Sequence, residues 1–214
     1  MGLCELSHFR IGKSYGGNQD WMLDPMMHLG GCGALTACDT CIVLAQQFGF
    51  TSLVPFPATK LTRRSYTSFG KLMKAYLPPR KTGIDRLDTF ADEFGHYLSD
   101  RANETGERPV SGMRLLHKDL PWQEAAEEIR AQLQNGIPVP TLLLHHDDPR
   151  LKDYEYHWFL INGYKDTQDG GLLVRAVTYG TYEWLPFDVL WNPGRPDEDG
   201  GVVLIDLHVP ANPE

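Results

Sequence analysis

The run Leu29-Gly30-Gly31-Cys32-Gly33-Ala34-Leu35-Thr36-Ala37-Cys38-Asp39 constrains this chain more than any other segment. Paired glycines stop, a cysteine follows, and an apolar pattern at helical spacing then runs to about Phe48. Ala34, Leu35, Cys38, Cys41, Ile42, Leu44, Ala45 and Phe48 leave almost no polar face, so the helix belongs at the centre of the molecule. Gly49 suits the C′ position that ends it. Cys32 then falls on the first turn, where unpaired N–H groups and the positive end of the helix dipole favour thiolate over thiol. The flanking glycines read as room for a carbonyl to approach the sulfur.

The rest of the chain divides by texture. Residues 4–20 read as short extended pieces around the turn Tyr15-Gly16-Gly17-Asn18. Pro55 and Pro57 punctuate a loop, and helices are expected near 58–77 and 84–103. The first runs into Pro78-Pro79; the second carries Leu87, Phe90, Phe94 and Leu98 at helical spacing. Trp122 to Gln134 forms another, closed by Asn135-Gly136. From Ile137 short β-rich runs take over: Val139 to Leu144, Tyr156 to Tyr164, Leu172 to Tyr179, Tyr182 to Leu185 and Val202 to Val209. Helices first and an antiparallel sheet second mean α+β. With no repeat or flexible linker, 1–214 reads as one domain, a helical lobe over about 18–135 packed on a sheet lobe over about 136–214 plus the N-terminal strands.

Composition narrows what such a domain can meet. A net charge of −8 disfavours nucleic acid and anionic membrane surfaces. No stretch approaches the roughly 18 apolar residues of a membrane span, and the N-terminal segment lacks the basic-then-apolar pattern of a signal peptide. Four cysteines do not make a disulfide framework here, which fits a reducing, cytoplasmic setting. No metal or cofactor is expected. On one helix Cys32, Cys38 and Cys41 fall at 0°, about 240° and about 180°, so they do not converge on an ion. Cys38 and Cys41 read as buried core thiols, and Cys4 as an ordinary strand residue. His145-His146-Asp147-Asp148 reads as a polar loop ahead of Pro149. Lys60, Arg63, Arg64, Lys71, Lys74, Arg80 and Lys81 form a basic stretch without an acid. It is either a solvated helix face or a contact for an acidic peptide or a substrate carboxylate at a cleft rim. Asp39, inside the apolar helix, needs a hydrogen-bond partner if buried.

A thiol nucleophile wants a base within hydrogen-bonding distance, usually a histidine far away in sequence. Of eight histidines, His157 stands out because it opens the apolar run to Tyr164. Strand alternation puts His157, Phe159 and Ile161 on one face and Trp158 and Leu160 on the other. A histidine there is costly unless its ring has a partner, and a hydrogen-bonded strand-end histidine without catalytic work is the plainer alternative.

Three segments, Gly30-Gly31-Cys32-Gly33-Ala34, Gln134-Asn135-Gly136-Ile137-Pro138-Val139 and His157 to Tyr164, together resemble the papain-like cysteine peptidase superfamily. The chain is most similar to its bacterial branch, which includes the bacteriocin leader-processing peptidases. There a Cys-Gly opens the central helix, an Asn-Gly-x-Pro-Val feeds the first sheet strand, and a His begins a strand ending in Gly-Tyr. The resemblance covers roughly 18–191 and implies a papain-like fold with Cys32 facing His157 across a cleft.

Two positions depart from that pattern. The family's oxyanion Gln, which lies shortly before the cysteine, is matched here by Met26. Gln19 can take the role only if the segment from Trp21 to His28 loops out; otherwise it is a turn amide after Gly16-Gly17. The Asn or Asp that orients the histidine lies on the family's next strand, here Ala176-Val177-Thr178-Tyr179-Gly180, which has neither. Thr178 is the substitute, accepting from the imidazole Nδ1–H, with Asn162 and Asp188 as weaker ones. The resemblance implies a cysteine hydrolase, a peptidase or amidase, acting on a peptide or small acyl substrate. Cys32 would be the nucleophile, His157 the acid/base, Thr178 the orienting group and Gln19 an oxyanion donor. A related acyltransferase uses the same machinery, and a papain-like fold kept as a peptide- or ligand-binding module is the alternative of another class.

Overall fold

Three short strands open the chain, β1 (Leu3–Glu5), β2 (Arg10–Ile11) and β3 (Ser14–Tyr15), in a computed structural model that describes residues 2–194 and 200–208. Four helices follow: α1 (Pro25–Gly30), α2 (Cys32–Phe48), α3 (Arg63–Met73) and α4 (Leu87–Thr105). A strand, β4 (Val110–His117), then precedes α5 (Trp122–Gln134). The remainder carries β5 (Val139–Leu143), β6 (His157–Asp166), β7 (Leu172–Thr178), β8 (Thr181–Pro186), α6 (Phe187–Trp191) and β9 (Gly201–Leu207). The strand read to Val209 ends at Leu207, and Val209 lies outside the described residues.

The fold is α+β. Seven strands form one antiparallel sheet in the order β4-β9-β5-β6-β7-β8, with β1 added along the end of β6. Two of its strands, β1 and β4, precede Ile137. The sequence reading has no strand at 110–117. Gly112, Arg114 and a weak alternation hide it, because β4 is an edge strand only half buried along its length.

Helices cover both faces of the sheet. Residues of α2, α3 and α4 share one core with Leu142, Trp158, Val203 and Ile205. On the other face α5 and α6 pack with Val139, Phe159, Ile161, Val174, Ala176 and Leu204. The β6 alternation therefore sends Trp158 toward α2 and Phe159 and Ile161 toward α5. A division at about 135 cuts across this arrangement, because β4 lies in the sheet and α5 sits on its far face.

Local chemistry sets where the central elements begin and end. Every residue of α2 from Cys32 to Ala45 is buried, and Gly49 ends the helix at a left-handed φ of 74°. Asp24 caps α1, accepting from the N–H groups of Met26 and Met27, with Pro25 in the first turn. The α3 helix starts at Arg63, later than its apolar pattern implies, because Thr62 and Ser65 form a reciprocal capping box. Buried Arg175 ties the N-terminal segment to the sheet: it donates to Asn162 Oδ1 at 2.7 Å and to the Leu6 carbonyl at 2.8 Å.

Candidate active site

Cys32 is the first residue of α2, 5% exposed, following directly on the short α1 helix. Only Gly31 separates the two helices, and its own position explains the glycines. A Cβ on Gly31 would lie 2.4 Å from the Met27 carbonyl oxygen, and one on Gly30 would lie 1.9 Å from that of Arg80. At Gly33 it would press on Ile84 Cδ1 at 3.0 Å. These glycines permit close backbone packing around the sulfur. This corrects the reading of all three as room for an incoming carbonyl.

The backbone N–H groups of Trp158 and Gly33 beside the sulfur favour thiolate. Burial outweighs them and pushes the thiol above its ordinary value. The helix-terminus expectation of a thiolate is thus overridden by desolvation in the resting site. His157 is subject to the same effect with the opposite sign: burial lowers its imidazole to about 4. The resting pair is thiol and neutral imidazole.

His157 opens β6 and is 5% exposed. Its Nε2 lies 2.7 Å from the Oγ1 of Thr178, the last residue of the neighbouring β7. The contact is through Nε2 and not through the Nδ1 expected from the sequence. Alternation fixes which side of a strand a residue lies on, but not how its ring is turned. Nδ1 instead lies 3.4 Å from the Tyr179 hydroxyl. The Tyr179 ring stacks on the imidazole, centroids 4.7 Å apart and planes 9° from parallel. Tyr179 and Gly180 form the turn between β7 and β8, both at positive φ (49° and 76°). An aromatic residue held there is strained.

Gln19 lies in a single helical turn before α1 and is 8% exposed. The chain from Trp21 to His28 leaves and returns, so that Gln19 Nε2 donates to the His28 carbonyl at 2.8 Å. One amide hydrogen remains. Gln19, Cys32, His157 and Thr178 all border one small cavity of about 20 Å³. A larger cleft of about 390 Å³ reaches Gln19, Cys32 and His157 from solvent, walled by Leu29, Gly30, Lys81, Thr82, Gly83, Glu155, Tyr156 and Tyr179. The turn Arg80 to Gly83 is closed by Gly83 N–H on the Arg80 carbonyl at 3.0 Å and held inward by Trp158 Nε1–H on the Ile84 carbonyl at 2.7 Å.

The other residues singled out lie elsewhere. Asn162 is fully buried and bonded to Arg175, and Asp188 belongs to α6, so neither orients His157. His146 is held in its loop by the Asp148 N–H and the Val189 carbonyl. Asp39 has the partners its burial demands, Tyr66 Oη at 2.7 Å and Gly17 N–H at 3.3 Å. Burial still raises it to about 7. In the basic stretch Lys74 pairs with Asp24, Arg80 pairs with Glu93, and Arg63 stacks on Trp21. Among the described residues no group of three or more His, Cys, Asp or Glu is placed to hold a metal ion. Nor, among the described residues, is any helix long and apolar enough to cross a membrane.

Tyr156, Tyr179 and Glu155 are cleft residues whose sequence signal is the adjacency of Glu155-Tyr156 to His157 and of Tyr179 to Thr178, while Lys81 belongs to the basic stretch read either as a solvated face or as a contact at a cleft rim. No family model matches the chain, and neither does any curated protein or solved structure.

Proposed function

We propose that this chain is a papain-like cysteine hydrolase, a peptidase or amidase, using Cys32 as nucleophile and His157 as acid and base. The observation that carries the reading is the convergence on one cavity of a helix-initiating thiol, a histidine bonded to Thr178 at 2.7 Å, and the Gln19 amide. Thr178 accepting from Nε2–H selects the tautomer with the lone pair on Nδ1, and the Tyr179 hydroxyl, 3.4 Å from Nδ1, must turn away for the thiol proton to reach it. Proton transfer to Nδ1 accompanies attack of sulfur on the carbonyl carbon. The Cys32 N–H and the second Gln19 amide hydrogen then hold the oxyanion. Imidazolium returns its proton to the leaving amine, leaving a thioester. Water, deprotonated by Nδ1, releases the acid and restores the thiol.

The neutral partner of His157 favours a second reading, a binding module of the same fold without turnover. One experiment separates them. p-Nitrophenyl acetate should leave a single acetyl group on Cys32, located by intact mass and peptide mapping. His157→Ala should slow its formation by about 100-fold or more. Acetylation spread over other residues, or a Cys32 rate indifferent to His157, would overturn the hydrolase reading.

A further inference from the structure

Two opposite charges wall the cleft without pairing with each other. Glu155, two residues before His157, is held in place: its Oε1 accepts from the His146 N–H at 2.9 Å and lies 3.0 Å from His145 Nδ1. Its second oxygen has no partner among the described residues. Lys81 is exposed at the tip of the turn Arg80 to Gly83, and its ammonium likewise has no partner among the described residues. The segments that carry the two are anchored. Arg80 is fixed to Glu93, the turn is closed by its own hydrogen bond, and Trp158 grips Ile84.

Both residues line the cleft that also holds Cys32 and His157. A Cβ on Gly83 would lie 3.9 Å from Cys32 Sγ and 3.5 Å from the carbonyl oxygen of Tyr156. The Lys81 turn and the Glu155-Tyr156 segment thus meet beside the nucleophile and close that end of the cleft. A carboxylate with one oxygen left open and an exposed ammonium, in one cleft with the reacting thiol, are complementary to a ligand with both signs near its scissile carbonyl. The volume of about 390 Å³ lies toward the small end of ligand pockets, about 300–1,000 Å³. Exposed Leu29, Tyr156 and Tyr179 add apolar wall.

We infer that the substrate is a small zwitterion, an amide whose carbonyl is flanked within a few bonds by a free ammonium and a free carboxylate, the simplest being a dipeptide. Glu155 takes the ammonium and Lys81 the carboxylate. The inference rests on the hydrolase reading of the cleft for its scissile bond, but binding tests it separately. The probe is alanyl-phenylalanine, with its N-acetyl and C-amide derivatives, titrated by calorimetry into the Cys32→Ser protein. Capping either end should weaken binding about tenfold or more. Glu155→Gln, which keeps the acceptor for His146, should abolish the penalty for N-acetylation alone. Lys81→Met should abolish the penalty for amidation alone. Capped and free dipeptides binding equally, no binding of the free dipeptide, or a variant that weakens all three ligands alike would overturn the inference. If Cys32 of the unmutated protein is still acetylated by p-nitrophenyl acetate, the hydrolase reading survives that failure.

Discussion

At the scale of single residues, His157 depends on one hydroxyl. The bond from Nε2 to Thr178 fixes the ring, yet a neutral acceptor stabilises imidazolium less than a carboxylate does. Thr178→Val keeps the shape and removes the acceptor. It should cost about 1 kcal/mol of stability and slow Cys32 acetylation by about tenfold or more, with Thr178→Ser restoring most of the rate. Equal rates for all three proteins would mean that Tyr179, stacked on the ring, orients it alone. Cys32, His157, Thr178 and Gln19 were legible in the sequence because each stands at or near the end of an element, where Gly, Pro or a switch in periodicity marks the chain. Tyr156 was not, because it reaches the cleft from a positive-φ position that leaves no periodic trace; Lys81 stood in the basic stretch, read either as a solvated face or as a contact for a substrate carboxylate.

At the scale of elements, α2 is positioned by what touches Asp39. Tyr66 brings α3 to it and Gly17 brings the N-terminal segment, so one buried carboxyl joins three parts of the chain. Folding raises Asp39 to about 7 from an ordinary 3.8, so the folded protein binds more protons than the unfolded chain between those values. Stability contributed by this group is therefore lost as pH rises from about 4 to 7 and is level above that. Asp39→Asn removes the titration. Thermal unfolding should show the variant gaining on the original protein by about 3–4 kcal/mol across that window. A difference independent of pH would contradict the assignment. The burial of α2 itself was plain from its sequence, since Thr36, Asp39 and Thr40 are the only polar side chains between Ala34 and Ala45. The partners of Asp39 were not, because they come from segments far apart in the chain.

At the scale of the whole molecule, the sheet joins the two halves of the candidate site. Cys32 belongs to a helix on one face, and His157 to a central strand whose other side chains feed both cores. The α+β class and the antiparallel sheet followed from the order of textures along the chain. The position of β9 between β4 and β5, and of α5 on the far face, did not. Those depend on which strand edges remain free once the hairpins β5-β6 and β7-β8 have formed, and hydrophobic spacing carries no record of that.

In the proposed hydrolase, thiol and imidazole, delivered by these separate elements, react as one unit. The rate of Cys32 alkylation by iodoacetamide, followed by peptide mapping from pH 3.5 to 10, tests it most directly. Folding lowers His157 to about 4, so the base is free above that pH, while burial keeps the thiol protonated past its ordinary value near 9. The original protein should show a rise centred near pH 4, a plateau through neutrality and a second rise in alkali. In His157→Gln the acid limb and the plateau should disappear, leaving the alkaline rise. A single alkaline ionisation in both proteins would mean that thiol and imidazole act independently.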